Sequence, residues 1–314
     1  MAETCLLTSS DAYAAGFGDA RINLTITGAG VFKARLTRLK LKDLEVYRCC
    51  ESLPRIAYIT LPAERMFLSF PVGPQSFISD GFALRNGDMV LNGCGQRTHQ
   101  RSNGACEWGL IALSSKLLAS CSKALTGPAI APPHASKIFR PAQAEVLRFR
   151  RLFAQACSRA NAARHKSIER SEVARALEQE LLSATIHCLA TNETGNNSRT
   201  RHHHGAIMVR FEEALNKHID QKPSMPSLCA EIGVPERTLR MCCAEFLGVS
   251  PTRYLLLRRL NKARAALRRA DPSTTSVAEV ARDHQFLELG RFAVTYRTTF
   301  GESPSATLHD GPQT

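Results

Sequence analysis

Between residues 20 and 125 short apolar runs alternate with glycine, proline and asparagine. Phe32-Lys-Ala-Arg-Leu36, Ile56-Ala-Tyr-Ile-Thr-Leu61, Met66-Phe-Leu-Ser-Phe70 and Trp108-Gly-Leu-Ile-Ala-Leu113 have the length of strands. Pro71-Val-Gly-Pro74, Arg85-Asn-Gly-Asp88 and Ser102-Asn-Gly104 supply turns between them. The pattern predicts antiparallel strands closing into a sandwich or barrel, with a small cupin-like jelly roll as the first choice.

The period then changes. Residues 141–160 and 169–190 read as helices separated by Arg164, His165 and Lys166, and Val173, Leu177, Leu181, Ala184 and Cys188 fall on one face of the second. Such a stripe either caps its own domain or pairs with a second copy, and both readings stay open. Residues 191–205 are polar and aperiodic and read as a linker, its His202, His203 and His204 as solvated side chains. The expected division is 1–190, with a barrel over about 20–125 and helices over 141–190, then the linker 191–205, then 206–314.

The last hundred residues carry an internal repeat. Gly248-Val-Ser-Pro251 returns 53 residues later as Gly301-Glu-Ser-Pro304, and the same displacement carries Leu239, Cys243 and Leu247 onto Phe292, Tyr296 and Phe300. Apolar positions four apart mark one buried helix face. In each copy glycine ends a helix, serine caps the next, and proline takes its first position. A shorter helix precedes each long one, at Ser227–Gly233 and Ser276–Arg282, where Ser276 and Glu279 make a capping box. Matching Cys229 to Ala281 gives 52 rather than 53, so the second turn holds one more residue. Between the copies a basic helix runs from Tyr254 to Pro272.

The polar faces of the two long helices carry Arg237, Thr238, Arg240, Met241 and Glu245 in the first copy, and Arg291, Val294, Thr295, Arg297 and Thr298 in the second. A merely solvated face favours lysine and glutamate. Arginine grips guanine O6 and N7, and the methyl groups of Met241, Val294 and Thr295 suit a thymine methyl, so these faces point to double-stranded DNA. A stiff helix between two such units fits successive major grooves about 34 Å apart.

Arg237-Thr-Leu-Arg240, Phe246-Leu-Gly-Val-Ser-Pro251 and Phe286-Leu-Glu-Leu-Gly-Arg-Phe292 through to Phe300-Gly-Glu-Ser-Pro304 resemble the AraC/XylS family of bacterial transcription regulators over residues 206–308. The resemblance implies two helix-turn-helix units joined by a long helix, behind an N-terminal β-barrel that binds an effector or dimerises. It implies that Arg237, Arg240, Met241, Leu289, Gly290, Arg291, Val294 and Thr295 face bases or nearby backbone. It also implies an activator that meets RNA polymerase, with a small-molecule effector and a homodimer as further partners. Three positions depart from the family: Gln285 where glycine is usual, Val294 where arginine is common, and Pro235 where a capping serine is frequent.

Composition adds limits. At 314 residues with 44% hydrophobic and 22% charged, the chain has the size of two domains of an α+β protein. The net charge of +13 is spread over the whole chain and decides nothing by itself. The sequence has no apolar run of membrane-spanning length and no secretory pattern at its start, so the expectation is a cytoplasmic protein with no membrane partner. Eleven cysteines without a C-x-x-C pair read as small apolar residues. No cofactor, metal site or catalytic group is expected, because the barrel has no His-x-His, no Gly-x-Ser-x-Gly and no complete dinucleotide loop. Trp108, Phe67, Phe70, Arg38 and His99 are candidates to line an effector pocket, with core packing the preferred reading of the aromatics; the effector site stays unknown. An architectural DNA binder of low specificity is the alternative function, and a cupin-type enzyme a remoter one.

Overall fold

Twelve strands occupy the first 139 residues of the computed structural model, which describes residues 2–162, 170–190, 199–218 and 223–309. They are β1 (Ala2–Leu7), β2 (Arg21–Ile26), β3 (Ala34–Lys40), β4 (Leu44–Glu51), β5 (Arg55–Thr60), β6 (Arg65–Pro71), β7 (Phe77–Ser79), β8 (Phe82–Leu84), β9 (Met89–Asn92), β10 (Arg97–Ser102), β11 (Cys106–Ser114) and β12 (Lys137–Phe139). The β region is thus wider than the 20–125 expected. A seven-stranded sheet runs β1-β3-β4-β11-β6-β9-β12 and a five-stranded sheet β2-β5-β10-β7-β8. Helices α1 (Ser10–Ala15) and α2 (Ser115–Thr126) interrupt the strands.

Strand alternation explains why the central strands are apolar nearly throughout. On β11, Trp108, Leu110 and Ala112 face the cluster between the sheets, while Ile111 and Leu113 face outward. β4 divides the same way, Tyr47 and Cys49 against Leu44 and Val46. The outward face is covered by α2, α3 (Gln143–Ala162) and α4 (Arg170–Ala190). Phe70 lies edge-on to Phe149 and Phe153 of α3 at 4.8 and 4.9 Å. Leu177, Leu181, Ala184 and Cys188 of α4 are buried in that layer, and only Val173 is exposed. The stripe therefore packs on its own domain, and the dimer alternative for it falls away. Arg164, His165 and Lys166 lie outside the described residues.

Helices fill the rest: α5 (Arg199–Lys217), α6 (Met225–Ile232), α7 (Glu236–Leu247), α8 (Pro251–Arg269), α9 (Val277–Asp283), α10 (Leu289–Phe300) and α11 (Pro304–His309). The linker expected at 191–205 is corrected in its second half, because α5 already begins at Arg199; residues 191–198 lie outside the described ones. Ile207, Met208, Phe211, Ala214 and Leu215 bury the apolar face of α5, whose polar first turns conceal the helical period. His204 is buried rather than solvated, its Nδ1 2.6 Å from Oε2 of Glu245, and Arg201 reaches the other oxygen of that carboxylate at 2.9 Å.

The helical region rests on the five-stranded sheet. Asn261 of α8 spans the backbone of Ile26 on the edge strand β2, accepting from its N–H at 2.9 Å and donating to its carbonyl at 3.0 Å, as a neighbouring strand would. The Gly30 N–H donates to the carbonyl of Phe300 at the end of α10. Ile56 of β5 joins the core of α5, α6 and α7. β10 of the sheet and the loop after β2 thus hold the C-terminal ends of α7 and α10 and leave their N-terminal ends outward.

Candidate nucleic-acid interface

Two helix pairs, α6–α7 and α9–α10, stand at the two ends of α8. Each turn between paired helices needs one left-handed residue, Gly233 at φ 74° in the first and Gln285 at φ 62° in the second. Cys229 and Ala281, the small residues matched in the repeat, accept the turn's backbone hydrogen bonds in each pair. Leu239, Cys243 and Leu247 of α7 and Phe292, Tyr296 and Phe300 of α10 are all buried, as the four-residue spacing requires.

Capping divides these helices into two kinds. Ser224, Ser250, Ser276 and Ser303 cap α6, α8, α9 and α11 with side-chain oxygens, and the Ser276–Glu279 capping box is formed. α7 starts at Pro235 and α10 at Glu288, neither with a side-chain cap. The first-turn N–H groups of those two helices therefore have no side-chain acceptor, and that geometry suits a phosphate.

Helical spacing brings Arg237, Arg240 and Met241 onto one outward face of α7, and Arg291, Val294, Thr295 and Thr298 onto one face of α10. All are exposed except Thr295, which is half-buried. Arg240 pairs with Glu236 at 2.6 Å, and Arg291 stands 4.0 Å from Glu288. Exposed pairs of this kind hold their partners weakly, so both guanidinium groups are releasable to a ligand. The hydroxyls of Thr295 and Thr298 donate back to the carbonyls of Arg291 and Val294 at 2.7 and 2.8 Å, which commits their protons to their own helix. A Cβ built on exposed Gly290 meets nothing within 4 Å, so no packing inside the protein demands glycine there.

Some expected residues sit elsewhere. Leu289 is half-buried at the start of α10, where it packs against the core that holds Phe292. Thr238 is half-buried at the flank of α7, Arg297 is exposed at the flank of α10, and Glu245 turns inward to His204 and Arg201.

Beside the α10 face, between the starts of α6 and α8 and the α9–α10 turn, lies a cleft of about 1220 Å³, lined by Ser224, Arg253, Arg259, Arg282, Leu287 and Arg291 among others. The sequence alone does not single out Arg253, Arg259 or Arg282 by position. The basic run on α8 is the signal for Arg259, and nothing marks Arg282 until the helices are assembled. Burial pushes the Arg259 guanidinium below its ordinary value, and it stacks over Phe286 at 4.3 Å.

The five pocket candidates of the β region do not share a pocket. Phe67 and Trp108 lie between the sheets, Phe70 faces α3, Arg38 pairs with Glu45 at 2.8 Å, and His99 reaches α5. Between the sheets Phe17 stacks on Trp108 at 5.7 Å and on Tyr47 at 5.6 Å. Beside it the fully buried Arg55 is paired with Glu51, which also accepts from Tyr13 and Trp108. Among the described residues no cluster of three or more His, Cys, Asp or Glu side chains is arranged to hold a metal, and no helix is long and apolar enough to cross a membrane.

Residues 228–310 match a family model described as a helix-turn-helix domain. A probable thc operon regulatory protein of Rhodococcus erythropolis is 40% identical over 98 residues, 31% of this chain and 30% of that protein. XylDLEGF operon transcriptional activator 2 of Pseudomonas putida is 35% identical over 99 residues, 32% of this chain and 63% of that protein. The matched stretch is therefore less than two thirds of either relative. The AraC-like transcriptional activator CuxR aligns with 84% of this chain and 95% of its own at 13% identity and a TM-score of 0.44.

Proposed function

We propose that this protein is a sequence-specific transcriptional regulator of the AraC/XylS type that reads DNA with α7 and α10, a reading supported by the helix-turn-helix match over residues 228–310 and by the names of the relatives. Each of the two helix pairs acts as one helix-turn-helix unit, and α8 keeps the units in register with successive major grooves of one duplex. The observation that carries the reading is the matched pair of outward faces, Arg237 with Arg240 and Arg291 with Val294, the second of them bordering an arginine-lined cleft. Arginines on the faces grip guanine edges, while Arg253 and Arg282 in the cleft meet phosphates.

The β region acts as the sensing or dimerising module, with a jelly-roll-like arrangement, and passes its state to the DNA-binding helices through their shared packing. In this reading the protein works in the cytoplasm, activates its promoter and meets RNA polymerase there. The names of the relatives, as operon regulators and activators, support that assignment.

Selection of the full chain on a random duplex library near physiological salt tests the reading, since nonspecific phosphate contacts are weak there. The expected result is a motif of two boxes about one helical turn, ~10 bp, apart. Recovery of unrelated sequences in proportion to their abundance overturns it in favour of an architectural binder.

A further inference from the structure

Met241 and Val294 occupy the same position in the two copies of the repeat, 53 residues apart. Elsewhere that displacement joins buried residue to buried residue, Leu239 to Phe292 and Cys243 to Tyr296. Here it joins two exposed apolar side chains, Met241 at 52% and Val294 at 68%, among only eight large hydrophobic residues so exposed within the described chain. Each stands beside exposed arginines, Arg237 and Arg240 around Met241, and Arg291 and Arg297 around Val294. An apolar point with a cationic rim complements a surface that is locally apolar and anionic at its edges. A thymine 5-methyl in the major groove, flanked by phosphates, has that character.

We infer that Met241 and Val294 are specificity-determining residues that each cover a thymine methyl, one in each box of the operator and at equivalent positions within the boxes. This rests on the reading of α7 and α10 as groove-reading helices. The two thymines stand about one helical turn apart, because α8 and the sheet beneath hold the two helices in a single relation. The threonines do not supply this contact in place of valine: Thr295 is half-buried, and Thr298 stands a full turn further along α10, away from its uncapped N-terminal end.

The test uses the full chain and its selected operator, with deoxyuridine replacing one thymine at a time. Uracil keeps the hydrogen-bonding edge and removes only the methyl. The expected result is a loss of about four-fold in affinity at one thymine in each box, from the burial of one methyl-sized group. Val294→Ala abolishes the uracil effect in one box and leaves the other; Met241→Ala does the reverse. Exposed alanines in helices keep the fold, which circular dichroism checks.

A strong operator whose affinity is unchanged by uracil at every thymine overturns the inference and leaves the regulator reading standing. So does a uracil effect that persists in both variants, which assigns the methyls to other residues or to DNA shape. A change in self-association of Met241→Ala or Val294→Ala without change in DNA affinity overturns it in favour of a contact between copies. Absence of any preferred sequence overturns the regulator reading and the inference together.

Discussion

His99 of β10 and Glu212 of α5 meet at 3.2 Å between Nε2 and Oε1, joining the β region to the helical region through two side chains that are 2% and 0% exposed. Glu212 also accepts from the Tyr254 hydroxyl at 2.6 Å and from Arg258, both on α8. One buried carboxylate therefore ties a strand of the sheet, α5 and the α8 helix between the two helix pairs.

Glu212 makes stability depend on acid. Burial alone raises its carboxyl, but Arg258, His99 and Tyr254 outweigh burial and hold it below the ordinary value. A carboxylate depressed in the folded state stabilises it above the unfolded pKa of ~4.3, and the contribution is lost as pH falls through the lower folded value. The melting temperature of wild type is expected to fall more steeply between pH 5 and pH 3 than that of Glu212→Gln. At pH 7 Glu212→Ala is expected to cost about 3–5 kcal/mol, because Arg258 is left buried and unpaired. Parallel pH curves for wild type and Glu212→Gln contradict the assignment.

How much of the fold and site is legible in the sequence follows from where the signal lies. The repeat marks the buried residues of α7 and α10, because core spacing is local to a helix. The start of α5 is hidden by Arg199 to Gly205, where polar residues cover the helical period and His204 is buried only by meeting Glu245, 41 residues later. The stripe on α4 is visible as apolar, yet only the assembled sheet decides that it faces inward. His99 gives no signal for an interdomain contact, since its partner comes from another region of the chain.

Four buried cysteines, Cys106, Cys157, Cys188 and Cys242, are expected to be slow nucleophiles. Burial pushes the Cys242 thiol up to about 11 and those of Cys106, Cys157 and Cys188 up to about 12. At pH 7.5 each is almost wholly the unreactive thiol. Brief treatment with a maleimide, followed by peptide mass spectrometry, is expected to leave these four unlabelled until denaturant is added, and to leave DNA binding intact. Rapid labelling of Cys242 in the native protein contradicts its burial in the core of α7.

Two classes of arginine are expected to separate by their dependence on salt and sequence. Arg240→Ala and Arg291→Ala, on the outward faces, are expected to cost on the order of 1–3 kcal/mol on the preferred operator and to relax preference at one base pair each. Arg253→Ala and Arg282→Ala, in the cleft, are expected to weaken all sequences alike and to reduce the salt slope by about 0.9 for each phosphate that is no longer neutralised. Titrations at several salt concentrations on specific and scrambled duplexes measure both. A sequence-independent loss for Arg240→Ala and Arg291→Ala removes them from the grooves.

Gln285 is expected to be a position that glycine improves. It holds φ 62° in the second turn, where the first turn has Gly233 at φ 74°. A residue with a Cβ strains in the left-handed region by roughly 1–2 kcal/mol, whereas glycine enters it freely and gives back part of the gain as unfolded-state entropy. The Oε1 atom of Gln285 is moreover buried without a hydrogen-bond partner. Gln285→Gly is therefore expected to stabilise the protein by on the order of 1 kcal/mol. Gln285→Ala separates the two causes: it removes the unpaired amide and keeps the strained backbone. Gly233→Ala is the reciprocal test, since its added Cβ meets nothing within 4 Å and any loss is conformational. If Gln285→Ala stabilises as much as Gln285→Gly while Gly233→Ala costs nothing, the buried amide and not the backbone sets the stability of these turns.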